Sequence, residues 1–139
     1  MILRKIMGMA LAAIALSALA AGGARAQTVT VTASGPNPVC LGHSATFSFS
    51  ATVSGKPAVG AECQLNGPTW SWSVTGMQGT VVTNGSAASI TVNVPSDLTT
   101  PFTVTGTATA TYTTTGTGCG GPFSGTGSAS MTPSIACCQ

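Results

Sequence analysis

Charge is almost missing from this chain. Only 4% of its 139 residues are Asp, Glu, Lys or Arg, and there is one histidine. The basic residues Arg4, Lys5 and Arg25 all fall within the first 26 positions. Beyond them Lys56 stands against Glu62 and Asp97, a formal charge of −1 with His43 neutral. One lysine cannot neutralise a row of phosphates, so nucleic acid is excluded as a partner. The scarcity also removes most acid–base chemistry. Glu62 and Asp97 lie in separate loops, and one histidine with no placed acid does not make a hydrolytic triad. The expectation is a protein that is not an enzyme, with no catalytic residue, cofactor or metal. Low charge also weakens repulsion between copies, which leaves self-association open.

Helical periodicity is missing as well. After residue 26 no apolar 3.6-residue repeat occurs, and Gly, Thr and Ser are spread throughout. The first 26 residues are different. Arg4 and Lys5 give a positive start, Ile6–Ala21 is an apolar run rich in Ala and Leu, and Ala24-Arg25-Ala26 is a small-x-small cleavage signal. These are the three parts of a secretory signal peptide, expected as a helix that is removed to leave Gln27 first. The run falls short of the ~20 apolar residues that span a bilayer, so no membrane span is expected after cleavage. The expected organisation is a signal peptide over 1–26, one domain over 27–133 and a cysteine-containing tail over 134–139. The expected location is secreted: extracellular, cell-surface or periplasmic.

Period-two alternation is the strongest signal in the domain. In "SATFSFSATV" Ala45, Phe47, Phe49, Ala51 and Val53 alternate with hydroxyl residues. "TWSWSV" sets Trp70, Trp72 and Val74 opposite Thr69, Ser71 and Ser73. "ASITVNV" sets Ala88, Ile90, Val92 and Val94 against Ser89, Thr91 and Asn93. In "FTVTGTATATYT" threonine holds every second position from Thr103 to Thr113, opposite Val104, Gly106, Ala108, Ala110 and Tyr112. "FSGTGSASMT" repeats the scheme. One apolar and one hydroxyl face per strand is the pattern of antiparallel sheets buried on one side. Turn signals separate strands predicted at 28–34, 44–54, 69–75, 79–83, 87–94, 102–113 and 123–132, with a long loop over 54–68 and Asn84-Gly85 as a tight hairpin. The fold class predicted is all-β: a seven-stranded antiparallel immunoglobulin-like β-sandwich. Phe47, Phe49, Trp70 and Trp72 are expected in its core, with the small inner residues of the last two strands making room for them.

The segments "GPNPVCLGHSATFSFSATV", "PTWSWSVTG", "SAASITVNVP" and "FTVTGTATATY" together resemble PKD-like and bacterial immunoglobulin-like domains of secreted and cell-surface proteins. The resemblance covers about residues 28–132. It rests on a Pro-x-Cys-x-Gly segment leading into the second strand and on the Trp-x-Trp strand that follows. It implies a non-enzymatic extracellular module used for adhesion, spacing or carbohydrate contact, and it carries no catalytic residues.

There are five cysteines, so at least one has no partner within the chain. Export permits disulfides. Spacing alone does not assign them, but the predicted topology restricts them. It puts Cys63 and Cys119 at one end of the sandwich, and Cys40, Cys137 and Cys138 at the other. The expected bridges are Cys63–Cys119 and Cys40 to either Cys137 or Cys138. The cysteine left over at the terminal pair is available to a second chain. Cys40 and His43 also have C-x-x-H spacing near the terminal pair, but an oxidising compartment favours disulfides over metal thiolates.

Asn84-Gly85-Ser86 matches a glycosylation acceptor and equally a hairpin turn. The alternate threonines could bind a polysaccharide surface, or could be a soluble outer face of high β-propensity. Two functional expectations follow. One is a structural, adhesive or assembly domain, self-associating or covalently joined to a partner through a terminal cysteine. The other is a carbohydrate-binding module using loop or threonine-face residues.

Overall fold

The computed structural model describes the backbone of residues 16–19 and all of residues 27–138. Its strands are β1 (Leu16–Leu19), β2 (Thr28–Ser34), β3 (Val39–Cys40), β4 (Ser44–Ser54), β5 (Gln64–Thr75), β6 (Gly79–Asn84), β7 (Ala87–Asn93), β8 (Val104–Thr115), β9 (Phe123–Met131) and β10 (Ile135–Ala136). Among the described residues there is no helix. Strand β2 pairs with β4, β4 with β7 and β7 with β6, all antiparallel. A second antiparallel group runs β5-β8-β9. The architecture is all-β and consistent with a β-sandwich.

The period-two pattern is what builds these sheets. Along β4, Ala45, Phe47, Phe49 and Ala51 are buried while the intervening Ser and Thr are exposed. Strands β8 and β9 bury Gly106, Ala108, Ala110 and Tyr112, and Gly125, Gly127 and Ala129, in the same alternation. The core joins both groups: Val29, Val31, Phe47, Phe49, Ile90 and Val92 from one, Val104, Ala108, Ala110 and Met131 from the other. Small residues on β8 make room for large ones on β4. A Cβ on Gly106 would stand 2.6 Å from Phe49 Cγ. Phe49 also meets Trp72 of β5 at a centroid distance of 6.4 Å. Trp70 and Trp72 are half-buried and pack against the core. The Trp72 indole Nε1 donates to Gly85 O at 3.0 Å, tying β5 to the β6–β7 turn.

Several local expectations are corrected. The segment 64–68 is not loop, because β5 begins at Gln64 and pairs Gln64, Leu65 and Asn66 with Thr115, Thr114 and Thr113. An irregularity between Asn66 and Thr69 accommodates Gly67 and Pro68, whose composition reads as a loop; proline has no N–H for the ladder. Strand β8 runs two residues later than predicted, at 104–115. Strands β3 and β10 form a short parallel pair that alternation does not reveal, since two residues carry no period.

The predicted signal peptide lies outside the described residues except for Leu16–Leu19. There a strand replaces the expected helix, pairing antiparallel with both β2 and β9. The physical reason is edge satisfaction. Both β2 and β9 have an otherwise unpaired side, and an extended segment between them occupies the free backbone groups of each.

Candidate functional site

The cysteines mark the two ends of the core. At one end Ser44 pairs with Asn93 and Val104 with Met131. At the other Gln64 pairs with Thr115. Cys63 and Cys119 flank that second end and are disulfide-bonded, with Cα atoms 5.8 Å apart. Gly116 lies against this bridge at φ 129°, where a Cβ would stand 2.8 Å from Cys119 Sγ. The bridge fastens the start of β5 to the β8–β9 loop.

The first end is built by the segment after β9. Pro133 and Val39 are fully buried. Asn37 Oδ1 accepts from Ser134 N at 3.0 Å and from Ser134 Oγ at 2.9 Å. Val39 N then donates to Ser134 O, and Leu41 N to Ala136 O, both at 2.9 Å. These bonds set Ala136 opposite Cys40. Two residues on, Cys138 bonds to Cys40 with a Cα separation of 5.3 Å. Cys137 is exposed and has no disulfide partner. Consecutive side chains of an extended chain point opposite ways, so fixing Cys138 on Cys40 turns Cys137 outward.

That bridge also removes the thiolate a Cys40/His43 metal site would need. His43 is exposed, with Nδ1 3.0 Å from Leu41 O. Among the described residues no group of three or more His, Cys, Asp and Glu side chains is placed to hold a metal. Glu62 adjoins Cys63 at one end, whereas Asp97 lies between β7 and β8 at the other, and both are exposed.

The broad surfaces are hydroxyl lattices. In register across β5, β8 and β9 lie Thr69, Thr111 and Ser124; Ser71, Thr109 and Thr126; Ser73, Thr107 and Ser128; and Thr75, Thr105 and Ser130. Two of these cross-strand pairs bond hydroxyl to hydroxyl, Thr105 with Ser130 at 2.8 Å and Thr109 with Thr126 at 3.0 Å. The opposite face does likewise, with Thr46 to Thr91 at 2.9 Å and Thr32 to Ser50 at 3.0 Å. Cross-strand bonding holds the hydroxyls in fixed positions and uses part of their capacity. On this second face Thr32, Ser48, Ser50, Val82, Ala87 and Ser89 line an open depression of about 340 Å³.

One edge is unusual. Among the described residues strand β6 pairs only with β7, and it is exposed along its whole length, with Val81 at 43% and Val82 at 59%. It carries none of the charges or prolines that commonly blunt a sheet edge. Val81 and Val82 are consecutive, so they fall on opposite faces of β6 and no period-two pattern assigns either face to the core. Among the described residues no strand of the facing group covers β6, because β5 is the last strand of that group.

No family model, curated protein or solved structure matches this chain.

Proposed function

We propose that this chain is an exported, non-enzymatic immunoglobulin-like domain of the PKD-like kind, with a structural, adhesive or assembly role outside the cytoplasm. Its strand order supports the fold assignment: β2-β4-β7-β6 facing β5-β8-β9 is the four-and-three arrangement of a constant-type immunoglobulin sandwich. Two disulfides are compatible with an oxidising compartment. No described helix is long and apolar enough to cross a membrane.

The observation that carries the assembly role is the exposed thiol of Cys137, held at the tip by the neighbouring Cys40–Cys138 bridge. A second chain can reach it without disturbing either internal bridge. Non-reducing electrophoresis of the purified exported protein tests this. A disulfide-linked species that disappears on reduction and in Cys137→Ser supports the reading. A monomer whose Cys137 thiol stays fully titratable in air refutes the covalent role.

A second reading is carbohydrate binding, favoured by the hydroxyl-lined depression beside Val82. Against it, no aromatic ring is among the exposed large apolar side chains of the described residues. A glycan array probed with the mature domain decides it, and the absence of any bound glycan rejects it.

A further inference from the structure

Strand β6 is an open edge, and the bonds of its neighbours fix which of its backbone groups are unused. Ala51 N donates to Ser86 O, and Val94 N donates to His43 O. In the β4–β7 register these bonds turn the N–H and C=O of the even-numbered residues of β7 toward β4. The odd-numbered residues Ala87, Ser89 and Thr91 then bond to β6, where they stand opposite Asn84, Val82 and Thr80. The backbone groups of Gly79, Val81 and Thr83 are left pointing outward, and among the described residues they have no partner.

A two-fold axis perpendicular to the sheet at Val81 satisfies all of these groups with a second copy of the chain. Val81 of each copy stands opposite Val81 of the other, and the two exchange both backbone bonds. Gly79 of each copy stands opposite Thr83 of the other and does the same. Opposed residues of an antiparallel pair share a face, and this register respects that. Val81, which stands opposite the buried Ile90 and so lies on the inner face, meets Val81; on the outer face Val82 covers Thr80 of the other copy.

The chemistry of the edge selects this occupant. Strand β6 carries no charge, and the chain beyond residue 26 has a formal charge of only −1, so two copies meet with little repulsion. The edge at the other end of the sheet order, β5, is a poor acceptor. Its ladder is interrupted between Asn66 and Thr69, and Pro68 has no N–H to give. Pairing through β6 alone closes at two copies and does not grow into a fibre. None of the bonds that order β4, β7 and β6 involves residues 1–26, so removing those residues takes none of them away.

We infer that β6 is a homodimer interface, in which two copies join edge to edge with Val81 on Val81. The contact is independent of Cys137, so it is a second, non-covalent route to assembly.

Sedimentation and amide hydrogen exchange of exported Cys137→Ser protein over a concentration series test this. The expected result is a reversible monomer–dimer equilibrium. The amides of Gly79, Val81 and Thr83 gain protection as dimer forms, while those of Thr80, Val82 and Asn84 are protected at every concentration. Val81→Pro removes an outward N–H and leaves the β6–β7 bonds in place, so it should weaken dimerisation by about tenfold or more with the fold retained. Thr83→Pro, which also removes an outward N–H, should act the same way. A monomer at every concentration from micromolar to millimolar overturns the inference and leaves the covalent role of Cys137 standing. A dimer in which the Gly79, Val81 and Thr83 amides still exchange freely overturns it, as does a dimer that both proline variants leave intact or an association that grows past two copies.

Discussion

Removing the Cys40–Cys138 bridge should cost this protein several kcal/mol, nearly all of it through the unfolded chain. The perturbation is Cys40→Ala with Cys138→Ala in a Cys137→Ser background, so that no alternative pair can form. The native contacts around the bridge persist: the Asn37–Ser134 bonds and the β3–β10 pairing do not depend on sulfur. What changes is the freedom of the denatured state. For a loop with a separation of 98 residues, chain entropy gives about 4.7 kcal/mol. The second bridge is nested inside that loop and closes 56 residues. With it intact the outer loop shortens effectively to 98 less 56, about 42 residues, and the expected cost falls to about 3.9 kcal/mol. Domains of this size have total stabilities of roughly 5–15 kcal/mol, so the loss is a large fraction. The assay is urea unfolding followed by the fluorescence of Trp70 and Trp72. The midpoint should fall, and the m-value should rise because the freed denatured chain exposes more surface. A loss under about 1 kcal/mol with an unchanged m-value would refute the premise that this bridge restrains the unfolded ensemble.

Other expectations follow from single contacts. Gly106→Ala puts a methyl 2.6 Å from Phe49 Cγ and should destabilise by about 1–3 kcal/mol in the same urea titration. Gly60→Ala, where a Cβ meets no atom within 4 Å, serves as the near-neutral control. Trp72→Phe keeps most of the packing but loses the donor to Gly85 O, and about 0.5–1.5 kcal/mol of stability should go with it. Val82→Lys places a charge on the exposed β6 edge; stability should change by no more than about 0.5 kcal/mol, while any concentration-dependent association seen by sedimentation should weaken.

Much of the architecture was readable because the period of two recurs over long strands. Eleven residues of β4 and the first ten of β8, Val104–Thr113, alternate without a break, and each break would have moved a polar side chain into the core. A tight hairpin at Asn84-Gly85 was legible from composition, but it turns on Gly85-Ser86 rather than Asn84-Gly85: Gly85 adopts φ 60° and Asn84 is already paired with Ala87. Reading failed where strands are short or where pairing overrides composition. Gly67 and Pro68 look like loop, yet β5 runs through them because β8 supplies a long partner. The two-residue β3 and β10 have no pattern to read.

The sequence by itself determined that the protein is all-β, that its outer faces are hydroxyl and nearly chargeless, and that its five cysteines leave one over. These are consequences of residue type and local period. Only the tertiary structure decided which cysteine is left over, because the choice between Cys137 and Cys138 depends on the register of β10 against β3, fixed by backbone bonds from Val39 and Leu41. Only the tertiary structure shows β6 uncovered and Gln27 buried beside Gly125. Each depends on which strand lies across the core, and no pattern within one strand records that.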